Sequence, residues 1–164
     1  MQVRILALPA CRVVTSGYAV GEEPFAPGGT LEKFMGWWGE YDKTRTDRWF
    51  PRDFIMYGRE ENALIWYYAV PDDAVIESDY EAVDFAGGLY AAAVAIDSDY
   101  EDEQRVYGAI KKWVADSDAF ELDERCGHYD LCHVITPPEA AAAMGYSQLE
   151  IYVPIKLVKK PAQA

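Results

Sequence analysis

Leu149-Glu150-Ile151-Tyr152-Val153-Pro154-Ile155, close to the C-terminal end of the chain, decides how the rest is read. Branched and aromatic residues at most positions mark a β-strand. Strand alternation puts Leu149, Ile151 and Val153 on one face and Glu150 and Tyr152 on the other. A carboxylate in so apolar a strand is costly unless it is paired, protonated or turned into a wet cleft, and a groove position would raise its pKa. An earlier stretch, Leu64-Ile65-Trp66-Tyr67-Tyr68-Ala69-Val70-Pro71, closes on the same Val-Pro pair. Aligning the two endings sets Tyr67 against Glu150, and Tyr18 is likewise matched to Tyr90.

Outward from these strands, the order of elements repeats, and repeats rank above isolated motifs as a guide to architecture. Met1 to Pro9 reads as a strand, followed by a β-rich run with Val13, Val14, Tyr18 and Val20. Gly28-Gly29-Thr30 then offers a helix N-cap, and Leu31, Phe34, Met35 and Trp38 recur at the spacing of an amphipathic helix ending near Tyr41. Asp42 to Arg48 is its exit loop. Phe54–Gly58 and Leu64–Val70, joined by Arg59-Glu60-Glu61-Asn62, form a hairpin by spacing. In the second half, Tyr80–Phe85 and Leu89–Ile96 are strand-like around Gly87-Gly88. Asp97 to Glu103 lead into a helix with Val106, Ile110, Trp113 and Val114 on one face. Leu131–Ile135 and the strand of Glu150 close the half, with a short helix over Pro138–Met144 between them. The expectation is an α+β fold of duplicated βαββ halves. It places pseudo-repeats over about 1–75 and 76–158 of a single domain covering 1–164, with a short tail at 159–164. A pseudo-twofold axis would relate the halves and set antiparallel sheets around a central ligand groove.

Composition limits the function. At 164 residues, with 51% hydrophobic and 26% charged residues, the chain is long enough for one globular domain or two intimately packed halves and can build a real core. Five Trp and twelve Tyr exceed what such a core needs and suit half-wet pocket walls. A net charge of -13 opposes nucleic-acid binding, which requires a basic surface. The apolar N-terminal run is too short for a signal or a membrane span, and three Cys without a secretion signal read as reduced thiols of a cytoplasmic protein. Gly-x-Ser-x-Gly, phosphate-loop and dinucleotide motifs are missing, so no cofactor is expected. Cys126, His128, Cys132 and His133 have the residue types of a zinc site but no standard spacing, and Cys132 and His133 point to opposite faces of a strand; no metal is expected. Asp97, Asp99, Glu101, Asp102 and Glu103 fit an acidic helix start better than a calcium loop.

The closing Leu149–Lys156 strand, Gly88-Leu89-Tyr90-Ala91, the helix with Trp113 and the duplicated order together resemble the GyrI-like small-molecule-binding family, which is also the effector-binding domain of AraC-type and MerR-type regulators. The resemblance implies a cleft with aromatic walls and an acidic residue on the last strand, here Glu150, that meets cationic or amphipathic ligands. It also implies a standalone member, because the chain begins at the first strand with no basic recognition helix ahead of it. Candidate ligand-binding residues are Glu150, Tyr152, Tyr67, Tyr90, Tyr18, Trp37 and Trp66. Trp37 and Trp66 enter because each points away from its neighbour, Trp38 or Tyr67, so one member of each pair must be exposed, in the groove or at a contact. Trp38 and Trp113 are read as packing residues. Some relatives hydrolyse strained cyclopropane-bearing compounds; in that reading Glu150 activates a water and Tyr90 assists the leaving atom. Inhibition of a partner protein through the acidic surface is a third reading. Binding of an amphipathic or cationic small molecule leads, and whether the protein is an enzyme stays open at this point.

Overall fold

The β-favouring runs and the two apolar stripes become twelve elements in a computed structural model that describes residues 2–45 and 53–158. In chain order these are β1 (Arg4–Leu8), β2 (Cys11–Tyr18), α1 (Thr30–Lys43), β3 (Asp53–Gly58), β4 (Ala63–Val70) and β5 (Glu81–Phe85). They continue with β6 (Gly88–Ile96), α2 (Tyr100–Ala115), β7 (Phe120–Leu122), β8 (Leu131–Val134), α3 (Pro138–Met144) and β9 (Gln148–Leu157). The fold is α+β, as expected, with antiparallel strand pairing inside each unit described below. Only β7, three residues long, has no counterpart in the sequence reading. The end of the Asp42–Arg48 exit loop and the tail at 159–164 lie outside the described residues.

The chain packs as two units, one formed by residues 10–86 and the other by residues 1–9 with 87–164. The first has strand order β3-β4-β2-β5, with α1 against β2 and β4. The second has β1-β6-β9, with β8 and β7 along the far edge of β9 and α2 against β6, β7 and β9. Strand for strand the orders correspond, yet each outer strand is contributed by the neighbouring repeat. β1 precedes β2 in the chain but pairs with β6; β5 precedes β6 but pairs with β2. The packing units therefore change over at Pro9 and Gly87, while the repeats of the sequence divide near residue 75.

In the unit of residues 10–86, the α1 stripe buries Leu31 and Phe34 against Val14, Trp66, Tyr68 and Val70. Met35, expected on that stripe, is 43% exposed. Much of the aromatic excess is consumed here. Trp38 stacks on Tyr68 at 5.6 Å between ring centroids, Trp37 stacks on Tyr41 at 5.5 Å, and Trp66 meets Phe25 and Trp38 edge-on, each at 5.7 Å. Tyr68 places its ring in the apolar cluster and its hydroxyl at the margin. It donates to Asp42 Oδ1 at 2.5 Å and accepts from Arg45 at 2.7 Å, and burial pushes its pKa up to about 12.

In the other unit, alternate residues of β6 and β9 meet α2. Ala91, Ala93 and Ala95 together with Leu149, Ile151, Val153 and Ile155 pack on Val106, Ile110 and Val114. Three alanines in a row leave room for the helix to sit low on the sheet. Trp113 lies at the margin of the stripe and stacks on Phe120 at 6.0 Å. The acids around the start of α2 serve the helix: the N-cap Asp99 accepts from Asp102 N at 3.1 Å, and Glu103 accepts from Ser98 N at 3.0 Å. At α1 the cap position is Gly29 and not Thr30; Glu22 instead accepts from the Thr30 backbone and hydroxyl, both at 2.6 Å.

Tyr68→Phe removes both hydroxyl contacts and keeps the stacking, so urea unfolding should show a loss of about 1–3 kcal/mol, with the far-ultraviolet circular dichroism of the folded protein unchanged.

Candidate functional site

The face of β6 and β9 turned away from α2 carries Tyr90, Ala92 and Val94 on one strand and Glu150, Tyr152 and Pro154 on the other. The register sets Tyr90 against Pro154, Ala92 against Tyr152 and Val94 against Glu150. On the two flanks, Arg4 of β1 pairs with Ala92, and His133 of β8 pairs with Glu150. Glu150 is only 6% exposed, yet its charge is answered. Tyr152 donates its hydroxyl to Glu150 Oε2 at 2.7 Å, and the Arg4 guanidinium forms an ion pair with Oε1. Of the three ways to keep a carboxylate in this strand, the protein uses pairing. The small Ala92 side chain lies between the Arg4 and Tyr152 positions, so the arginine can cross β6 to reach β9. Burial raises the Tyr152 pKa, with the Arg4 charge opposing.

Tyr90, fully buried, extends the same face toward a second polar cluster. Its ring stands edge-on to Tyr152 at 6.2 Å and to His128 at 4.8 Å. His128 is 4% exposed, and its Nδ1 lies 2.9 Å from Asp123 Oδ2, which also takes Arg125 Nε at 3.0 Å. An ionised carboxylate can only accept, so Nδ1 carries the proton and Nε2 presents a lone pair. Neither Nε2 nor the Tyr90 hydroxyl has a hydrogen-bond partner among the described residues. Burial lowers the His128 pKa, and burial raises that of Tyr90, so both are neutral at pH 7. Gly88 makes the arrangement fit, since with φ 150° a Cβ there would sit 2.5 Å from Nε2.

Asp123 and His128 are absent from the residues selected on sequence. They lie on the segment between β7 and β8, where no periodicity operates. On sequence His128 is weighed only as one of four zinc ligands, and Asp123 is not weighed at all. Among the described residues no group of three or more His, Cys, Asp or Glu could hold a metal ion. His133 had a clearer signal, because alternation along β8 turns Cys132 toward the α2 core and His133 toward Glu150.

Glu150, Tyr152 and Tyr90 thus share one face of one unit, while the other four candidates belong to the unit of residues 10–86. Tyr67 lies on the face of β4 away from α1, in register with Thr15 and Phe54. Tyr18 follows a bulge at Gly17 and pairs with Ile65; counting the two ladders from their Val-Pro ends puts Cys11, not Tyr18, at the place Tyr90 takes. Trp66 is in the core beneath α1, its indole N–H donating to Asp53 at 3.1 Å. Trp37 and Trp38 both contact Tyr68, so neither is turned away from the cluster.

No family model and no curated protein matches the sequence. Solved structures do match its fold. The EcmrR C-terminal domain is similar with a TM-score of 0.67 at 14% identity, over 96% of this chain and 98% of that one. The fold is GyrI-like. EcmrR in its DNA complex matches with a TM-score of 0.65 at 15% identity, where this chain spans 58% of the length of the other. SAV2435 bound to tetraphenylphosphonium has a TM-score of 0.54 at 13% identity, covering 95% of this chain and 94% of that one. A hydrolase from Listeria innocua has a TM-score of 0.62 at 10% identity, covering 94% and 92%. At these identities the likeness concerns the fold. No helix among the described residues is long and apolar enough to cross a membrane.

The lowered His128 pKa has a defined consequence for stability. The unfolded chain takes up a proton near the ordinary value of 6.5 while the folded one resists it. The contribution is therefore complete above pH 6.5 and is lost as pH falls through 6.5 toward the folded value. Melting temperatures from pH 8 to 5 should decline more steeply for the native sequence than for His128→Gln, and the His128 ring protons should titrate below 6.5 by NMR.

Proposed function

We propose that the chain binds amphipathic organic cations, with Glu150 as the anionic contact and the Tyr152 and Tyr90 rings as its aromatic surround. One observation carries this reading: a nearly buried carboxylate is bonded to Tyr152, whose ring in turn meets that of Tyr90, on one face of an otherwise apolar strand pair. Such a group interacts strongly with a weakly hydrated cation, because the low local dielectric strengthens the attraction and ring faces add cation–π energy. The net charge of -13 attracts cations to the protein and repels phosphate backbones, which speaks for small cationic partners and against nucleic acid. The fold shared with SAV2435, solved with tetraphenylphosphonium, supports the same ligand class. A cytoplasmic setting with reduced thiols fits Cys11, Cys126 and Cys132, which form no disulfide among the described residues.

A second reading, turnover of a reactive small molecule, draws on the lone pair of His128 Nε2 and the Tyr90 hydroxyl, carried on rings 4.8 Å apart, an acceptor and a donor of the kind general acid–base chemistry uses. A hydrolase shares the fold. Incubation with cyclopropane-bearing compounds, followed by mass spectrometry, separates the readings: product formation that depends on His128 and Tyr90 favours turnover, and an unchanged compound favours binding.

For binding, calorimetric titration with tetraphenylphosphonium should show Glu150→Gln losing on the order of 1–3 kcal/mol, while a neutral aromatic of similar size is unaffected. The same substitution should leave the melting temperature of the free protein unraised, because the native carboxylate already has Arg4 and Tyr152 as partners. Equal affinity of both variants for the cation would remove the basis of the reading.

A further inference from the structure

The site proposed for an organic cation already holds one. Arg4 comes from β1, the outermost strand of its unit, and crosses Ala92 to put its guanidinium on Glu150. The two ends of this ion pair sit in different media. The Glu150 side chain is 8% exposed and the Arg4 side chain 49% exposed, so the carboxylate is fixed in the sheet while the arginine stands half in water. Swinging Arg4 outward returns it to full hydration and restores its rotamer freedom, whereas Glu150 has no comparable escape. Removing the arginine without replacing it would leave a buried carboxylate without a cationic partner among the described residues, a costly state.

We propose that Arg4 is a built-in competitor for the cation site, closing over Glu150 in the free protein and leaving when an organic cation takes its place. This rests on the reading of Glu150 as the cation contact and adds its regulation. Two properties follow from the exchange. Cations that surrender little hydration, being large and delocalised, can replace a guanidinium at low cost, whereas sodium, potassium and ammonium cannot, so Arg4 acts as a filter against abundant inorganic ions. Because Arg4 is carried on the edge strand that pairs with β6, its return after ligand release needs only a side-chain rotation on a fixed backbone.

Calorimetric titrations with tetraphenylphosphonium chloride on the native chain, Arg4→Gln, Glu150→Gln and the double variant test the exchange, with sodium chloride as the inorganic control. Arg4→Gln should bind tetraphenylphosphonium at least about tenfold more tightly than the native chain, and the gain should vanish when Glu150 is also replaced. If Arg4→Gln proves too unstable to titrate, Arg4→Lys, which keeps a charge but loses the planar fork, should give a smaller gain. On the native chain the Arg4 Nε–H resonance should move to its solvent-exposed position as the site fills. Equal affinities of the native chain and Arg4→Gln, with Glu150→Gln still weakened, would overturn the competitor and leave the cation reading intact. Failure of both the native chain and Arg4→Gln to bind would overturn the cation reading and the competitor with it. Binding by Arg4→Gln alone would support the proposal in its strongest form.

Discussion

β9 is buried on both faces, and most of its unit is arranged around that constraint. On one face it needs apolar cover, which α2 supplies with Val106, Ile110 and Val114. On the other it carries Glu150 and Tyr152, which need polar partners inside a region from which water is largely excluded. β1 and β8 flank the β6–β9 pair: Arg4 reaches Glu150 from a position level with Tyr152, and His133 lies opposite Glu150. The alanines of β6 fit the same logic twice: those facing α2 admit the helix, and Ala92 leaves a path for the arginine. A larger residue at position 92 would obstruct that path.

The two units solve the same topological problem with different chemistry. Where β9 sets a charge on the face away from its helix, β4 has Tyr67 and no ionised group. The unit of residues 10–86 instead concentrates its aromatic side chains beneath α1, where Trp38, Trp66 and Tyr68 interlock and the polar atoms are led outward to Asp42, Arg45 and Asp53. High aromatic content is thus partly a packing material here. A count of Trp and Tyr could not separate rings spent in this cluster from rings such as Tyr90 and Tyr152.

Periodicity explains what could be read in advance. Helices with residues at i, i+3 and i+4 and strands with period two announce their buried faces, so the elements, the α+β class and the side of the strand occupied by Glu150 were legible. Arg4 was not, because its role comes from a contact between segments far apart in the chain; Asp123 was not, because it and His128 lie five residues apart on an irregular segment where no period marks a buried face. No local pattern says that β1 will lie beside β6, and without that pairing Arg4 is one more surface cation. The match of Tyr18 with Tyr90 failed because it set opposite strand ends together: Tyr18 closes β2 while Tyr90 lies near the start of β6, a phase that only the strand pairings reveal.

The exchange of outer strands also orders events during synthesis. Residues 10–86 are contiguous, so that unit can complete its sheet as soon as β5 has emerged. The other unit draws on both ends of the described chain, and β1 must wait for β6 before it has a partner and for β9 before Arg4 has an anion to meet. Domains generally form in order of emergence; here β1, made before the other described strands, is among the last to be placed, and the carboxylate gains its arginine only when the second unit has closed.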